Sequence, residues 1–151
     1  MSVLSHTCQY EIKGSSSTQV RHREFNDEPF LPQMTALHLA AQFSSGSVVR
    51  ALIEAGADVG AQDDPNLKSP LHYAASENQA VVPVLLRERA EVNLLDNEER
   101  SPLLNAAHAN HREAVIALCA GGADPYLGKS PLTDSLVTEE MKTLIREQLS
   151  L

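Results

Sequence analysis

The 151-residue sequence predicts an all-α fold, a solenoid of stacked helix-turn-helix units joined by short hairpin-like turns, and two recurring phrases predict it. The first stands at Thr35-Ala36-Leu37-His38-Leu39-Ala40-Ala41, at Ser69-Pro70-Leu71-His72-Tyr73-Ala74-Ala75 and at Ser101-Pro102-Leu103-Leu104-Asn105-Ala106-Ala107, with a shortened copy at Ser130-Pro131-Leu132. The second runs from Leu52 to Val59, from Leu85 to Val92 and from Leu118 to Pro125, and its alanines 57, 90 and 123 keep a spacing of 33. Composition agrees with both. With 4% aromatic residues and no Trp, the core must come from Leu, Val, Ile and Ala, which suits close helix stacking.

Residues 1–32 match neither phrase. Val3 to Ile12 alternates enough for a weak strand, Gly14 to Thr18 has linker composition, and Arg21 to Glu28 is charged around Phe25, so this arm is expected to be mostly disordered. Phe30 and Leu31 are placed to fold back over the first unit, because a terminal repeat otherwise exposes an apolar flank.

Residues 33–151 form the repeat domain, with repeats at about 34–66, 67–99 and 100–129 and a C-terminal cap over 130–151. Each Thr or Ser is an N-cap, and the Pro that follows loses only a donor already orphaned at the first helical position. Inner helices are therefore expected to begin near 36, 70, 102 and 131. The pairs Ala40-Ala41, Ala74-Ala75 and Ala106-Ala107 keep those helices slim enough to pack on both sides.

A second helix follows in each unit, expected over about 47–55, 81–88, 112–120 and 138–149. Val48, Leu52 and Ile53 supply its buried stripe first, then Val81, Val84 and Leu85. Gly56 and Gly122 sit where a left-handed residue closes the helix. The middle unit has Arg89 there, at a cost of about 1 kcal/mol relative to Gly. It also carries Pro83, harmless if the helix starts near residues 80–82 and costing roughly 3 kcal/mol if it lies deeper, so the middle repeat is the expected weak link. The connections from Gly60 to Lys68 and from Leu94 to Arg100 have the length of projecting turns, and Tyr126 to Lys129 leaves room only for a tight one. An array of this size is near the minimum for independent stability, which predicts fraying ends and slowest hydrogen exchange over residues 69–120.

With both phrases in place, residues 34 to about 136 resemble ankyrin repeats. The resemblance implies that His38 and His72 are structural, joined to the Thr or Ser three residues earlier and to turn backbone groups, and that Leu104 removes this net from the third unit. It also implies that the break between two helices falls between His108 and His111, with Asn110 left-handed. That placement separates the two histidines as a metal pair, and no Cys or carboxylate cluster completes a site. The stretch from Leu85 through Glu91-Val92-Asn93 is similar to the surroundings of asparagines hydroxylated in ankyrin repeats by an oxygen-dependent asparaginyl hydroxylase. The simpler role for Asn93 is to bridge turn backbone groups.

Several function classes are disfavoured. Twelve basic and twenty acidic side chains give a formal net charge of −8, which repels a phosphate backbone and an anionic membrane surface. No apolar run approaches the length of a membrane span, and Cys8 and Cys119 fall in different segments, so a soluble, monomeric, cytoplasmic protein is expected, with the nucleus or a host cytosol also compatible. The segment with Gly122, Gly128, Lys129 and Ser130 misses the phosphate-cradling loop: its spacing is one residue too long and a helix, not a strand, precedes it. Carboxylate pairs at Asp63-Asp64, Glu98-Glu99 and Glu139-Glu140 belong to turn tips or helix starts. No catalytic, cofactor or small-molecule site is expected.

What remains is binding of a protein partner. In a stacked array the turn tips and inner helices form one concave face whose side chains vary freely. The candidates on it are Leu39, Gln42 and Phe43 in the first unit, Tyr73, Ser76 and Glu77 in the second, and Asn105 and His108 in the third. The tips add Asp63, Asp64, Asn66 and Lys68, then Asp96, Asn97, Glu98 and Arg100. Aromatics ringed by acids suit a partner with an apolar anchor and a basic rim, although Phe43 and Tyr73 would equally serve to finish the core. The alternative is a targeting fragment or regulatory inhibitor of an enzyme supplied by a partner or a longer parent chain.

Overall fold

The computed structural model describes residues 33–150, which are helical with no strand among them. The expectations for residues 1–32, namely the disordered arm, the strand over Val3 to Ile12 and the returning Phe30 and Leu31, lie outside the described residues.

The inner helices begin where their caps place them. α1 (Ala36–Phe43) and α3 (Pro70–Glu77) each open on a reciprocal capping box in which the third residue is a histidine. Thr35 and Ser69 offer their hydroxyls to the His38 and His72 amides, and the two rings accept from the Thr35 and Ser69 amides at 3.0 Å. α5 (Pro102–His108) keeps half of this cap, with the Ser101 hydroxyl accepting from the Leu104 amide at 3.3 Å.

The outer helices are α2 (Gly46–Glu54), α4 (Val82–Arg87), α6 (Arg112–Ala120) and α7 (Glu139–Leu149). A 3₁₀ turn over Gln79–Val81 precedes α4 and brings Pro83 into the first helical turn, where its missing donor costs little. The middle unit's outer helix is shortened as a result, to 6 residues against 9 in α2 and α6.

One expected helix is absent. Ser130-Pro131-Leu132 carries the start signal, yet the chain makes a single turn closed by the Asp134 amide on the Ser130 carbonyl at 3.1 Å and then leaves the helical path. Ser135 stands where the other units have Ala40, Ala74 and Ala106, and the polar Thr133 and Asp134 precede it, so a helix there would bury little beyond Leu132. The Asp134 carboxylate instead accepts from the Leu136 amide at 2.8 Å and holds the segment as a loop.

The outer helices of all three units close alike. Ala57, Ala90 and Ala123 donate to the carbonyls of Leu52, Leu85 and Leu118, each at 3.0 Å, while Gly56, Arg89 and Gly122 adopt φ of +98°, +63° and +89°. This is the paired-bond closure that a left-handed residue permits. Asn110, at φ +58°, closes α5 in the same manner.

Two layers result. α1 packs on α3 and α3 on α5 to make the inner layer, and α2, α4, α6 and α7 follow one another in the outer layer. Leu37, Leu71 and Leu103 repeat one buried position, Ala41, Ala75 and Ala107 a second, and Val49, Val82 and Val115 a third. Met141 and Ile145 extend the core into α7. Between units, the Asn78 amide donates to the Ser44 carbonyl at 2.8 Å and the His111 ring to the Ala75 carbonyl at 2.9 Å, satisfying acceptors that helix C-termini leave open. No helix among the described residues is long and apolar enough to cross a membrane.

Candidate protein-binding surface

The inner helices hold the turns through their histidines. His38 Nε2 donates to the Lys68 carbonyl at 2.9 Å and His72 Nε2 to the Arg100 carbonyl at 3.1 Å. Because each Nδ1 accepts from a backbone amide, both rings are neutral with the proton on Nε2. Burial holds both below the usual histidine value of 6.5, although the tip carbonyls and nearby aspartates pull the other way. Leu104 takes this place in the third unit as a fully buried apolar residue.

Each of the first two tips is organised around one buried carboxylate. Asp63 accepts from the Lys68 amide, from Asn66 Nδ2 at 3.3 Å and from the Tyr73 hydroxyl at 2.8 Å. Asp96 accepts from the amides of Glu98 and Arg100 and from Arg100 Nε, each at 2.9 Å. Burial pushes the Asp96 carboxyl up, but the Arg100 amide, the Arg100 guanidinium and the Glu98 amide outweigh it and keep it below the usual carboxylate range. Leu67 and Glu99, at φ +56° and +61°, turn the chain just before Lys68 and Arg100. Neighbouring tips are joined by backbone bonds from Asn97 to Asn66 at 2.9 Å and from Lys129 to Glu99 at 2.8 Å.

This arrangement divides the sequence-derived candidates. Asp63, Asp96 and Asn105 are buried, so the exposed part of the set excludes them. Tyr73 is half-buried: its hydroxyl is engaged by Asp63, its ring meets that of His38 edge-on with centroids 5.7 Å apart, and the Lys68 ammonium lies 5.5 Å from its centre. Burial first and the Asp63 bond second raise its phenol well above the usual range. Tyr73 therefore finishes the junction between two units.

Phe43 behaves in the opposite way. It is 74% exposed at the end of α1, one helical turn from Leu39, which is 48% exposed. Glu77, Asp64, Asn97 and Glu98 are exposed, and Gln42, Asn66, Lys68, Ser76 and Arg100 are half-buried. The Ser76 hydroxyl donates back to the His72 carbonyl at 2.9 Å, and Arg100 is ion-paired with both Asp96 and Glu98 at 2.9 Å. Sequence reasoning passed over four exposed apolar side chains, Leu67 and Tyr126 on the tips, Ile116 on α6 and Leu136 in the loop that replaces the fourth inner helix. For Leu67, Tyr126 and Leu136 the available signal was positional, since each lies in a turn among polar residues.

The two C-terminal histidines go to different partners. His108 Nε2 lies 3.1 Å from Asp134 Oδ2, tying α5 to the loop, whereas His111 donates to the previous unit. The Leu136 amide, and after it His108, hold the Asp134 carboxyl below the usual range. Asn93 is bridged at both ends, donating to the Gly122 carbonyl at 3.2 Å and accepting from the Asp124 amide at 2.9 Å. Gly128, at φ +63°, packs against the Glu99 carbonyl and Leu95, and the Lys129 amide is bonded to Glu99.

Comparison with known proteins matches this geometry. A family model described as ankyrin repeats matches in three overlapping copies, over residues 15–96, 37–129 and 71–145. The chain is 37% identical over 92 residues to the Drosophila melanogaster neurogenic locus Notch protein, covering 60% of this chain and 3% of that protein. It is 40% identical over 104 residues to human neurogenic locus notch homolog protein 1, covering 65% and 4%. It is 31% identical over 112 residues to the chicken nuclear factor NF-kappa-B p105 subunit, covering 72% and 11%. The chain thus spans a small fraction of the length of these curated relatives.

Proposed function

This chain belongs to the ankyrin-repeat family, whose units serve as protein-protein interaction modules, and on that premise we propose that it is a non-enzymatic adaptor binding a protein partner through the concave face of inner helices and turn tips. The observation that carries the proposal is Phe43. A large aromatic left 74% exposed beside Leu39 is the kind of side chain that dominates interface energy.

Charge narrows the partner. Arg100 is already paired and Lys68 lies over Tyr73, which leaves Asp64 on the first tip and Glu77 at the end of α3 as exposed carboxylates of the candidate set. A partner presenting an apolar side chain with basic neighbours fits this surface, and the formal net charge of −8 favours such a polypeptide over nucleic acid. On this reading the protein acts as a cytosolic monomer.

Affinity capture from the native cell tests the proposal, with Phe43→Ser and Asp64→Lys/Glu77→Lys as variants. Phe43→Ser should abolish capture at unchanged thermal stability, and the charge reversal should weaken capture and its salt dependence. Capture unaffected by both would overturn the assignment of this face. A second reading is a targeting fragment or regulatory inhibitor of an enzyme supplied by a partner or a longer parent chain, which a change in the captured partner's activity would support. Asn93 is a further proposed modification site, and mass spectrometry finding only the unmodified residue from an oxygenated eukaryotic host would remove it.

A further inference from the structure

The C-terminal ends of the inner helices form a row that crosses the array. Phe43, Glu77 and His108 are the last residues of α1, α3 and α5, and these helices pack in that order. The His108 ring meets Asp134 Oδ2 at 3.1 Å, and the other oxygen of that carboxylate accepts from the Leu136 amide at 2.8 Å. The row therefore continues onto the loop that replaces a fourth inner helix. Leu136 and Phe43, 76% and 74% exposed, are the two most exposed large apolar side chains among the described residues, and they mark its two ends. The other exposed ones stand elsewhere: Val48, expected in the buried stripe of α2, is exposed on the outer layer with Ile116, and Leu67 and Tyr126 lie on the tips.

Leu136 is held in its position, because the Asp134 bond fixes its amide and the next side chain, Val137, is buried in the core. Between the two apolar ends stands the exposed Glu77, which enters no ion pair among the described residues. An apolar side chain fixed in solvent at each end of a row, with a free carboxylate between them, is complementary to a segment that is apolar at both ends and basic in between. Three steps between neighbouring elements, at about 9 Å each, put the ends roughly 27 Å apart. The row offers side chains and no strand edge among the described residues, so its occupant must satisfy its own backbone groups, as a helix does. A helix covers that span in about 18 residues, or about five turns, which returns both end residues to one face. We propose that Leu136 is a second apolar anchor of the partner surface, and that the row from Phe43 to Leu136 takes an amphipathic helix of a partner protein. Its apolar side chains lie about five turns apart, with a basic residue about two turns from the one that meets Phe43. The inference rests on the adaptor reading and adds to it the far anchor and the form of the partner.

Fluorescence anisotropy of the full chain with labelled, alanine-based helical peptides tests it. One peptide carries Leu at both ends of a face and Lys near the first; in the other the second Leu is Ala. The two-leucine peptide should bind about tenfold more tightly, the gain from burying one leucine side chain. Leu136→Ser should remove that difference at unchanged Tm and leave the one-leucine peptide bound as before, whereas Phe43→Ser should weaken both peptides. A two-leucine advantage that survives Leu136→Ser, or binding of neither peptide, would sink the inference. Sensitivity to Phe43→Ser alone leaves the adaptor reading standing and removes the far anchor. Capture from the native cell that ignores Phe43→Ser removes the adaptor reading itself.

Discussion

The first two units and the third solve one problem in two ways. In the former, a histidine on the inner helix reaches across to pin the following tip, so helix and turn are held by a long-range bond to Lys68 or Arg100. The third unit has Leu104 in that place, and its tip is tied without a histidine: the Ser130 hydroxyl donates to the Pro125 carbonyl at 2.6 Å and the Tyr126 amide to Asp124 at 2.8 Å within it, and Gly128 nests on Glu99 of the preceding tip. A long tip needs an external latch because its backbone groups would otherwise lack partners. A short tip does not.

The sharpest break in that comparison is Gly128→Ala. The new methyl would collide with the Glu99 carbonyl oxygen, which is backbone and cannot move aside, and φ of +63° adds left-handed strain. A loss of about 3 kcal/mol is expected in urea denaturation, and a loss below half of that would show that the third tip is not held through this contact.

Next in size is His72→Leu, which gives the second unit the side chain of the third. It leaves the Arg100 carbonyl and the Ser69 amide without their partner, at a cost of about 2 kcal/mol. An unchanged urea midpoint would mean that the latch contributes nothing to the long tip.

Acid separates the units further. Both His38 and His72 are held below 6.5 by burial, so the unfolded chain binds protons more readily than the folded one. Their contribution is fully present above pH 6.5 and is lost as pH falls below that value and through the folded-state values. Between pH 7.5 and pH 5, hydrogen-exchange protection relative to the intrinsic rate should fall at Lys68 and Arg100 more than at Lys129, and His72→Leu should flatten the acid dependence. A uniform loss of protection across all three tips would contradict the latch.

The smallest expected effect is a gain. Arg89→Gly relieves a left-handed residue that the first and third units already assign to glycine, adding about 1 kcal/mol. Thermal melts that fail to rise would place the weakness of the middle unit in its shortened α4 instead.

Helix starts at residues 36, 70 and 102 were legible because a hydroxyl cap followed by an apolar, small-residue face is a local signal, and those residues do in fact cap and bury. Ser130 showed the limit of that signal. The cap alone does not make a helix when Thr133, Asp134 and Ser135 give it little to bury. On the candidate surface, Phe43 was legible as an aromatic at a variable position, whereas Asp63 and Asp96 were misplaced because a carboxylate in a turn looks solvated. Their shared spacing of 33 was the available clue to a structural role. The engagement of Tyr73 by Asp63 and His38 was out of reach, since it depends on how closely two units approach.

The loop that stands in for a fourth inner helix gives the molecule a direction. Helix-on-helix stacking in the inner layer ends at α5, where the His108–Asp134 contact takes the place of a further helix. The outer layer runs one helix longer, to α7, so the two layers of the array are of unequal length.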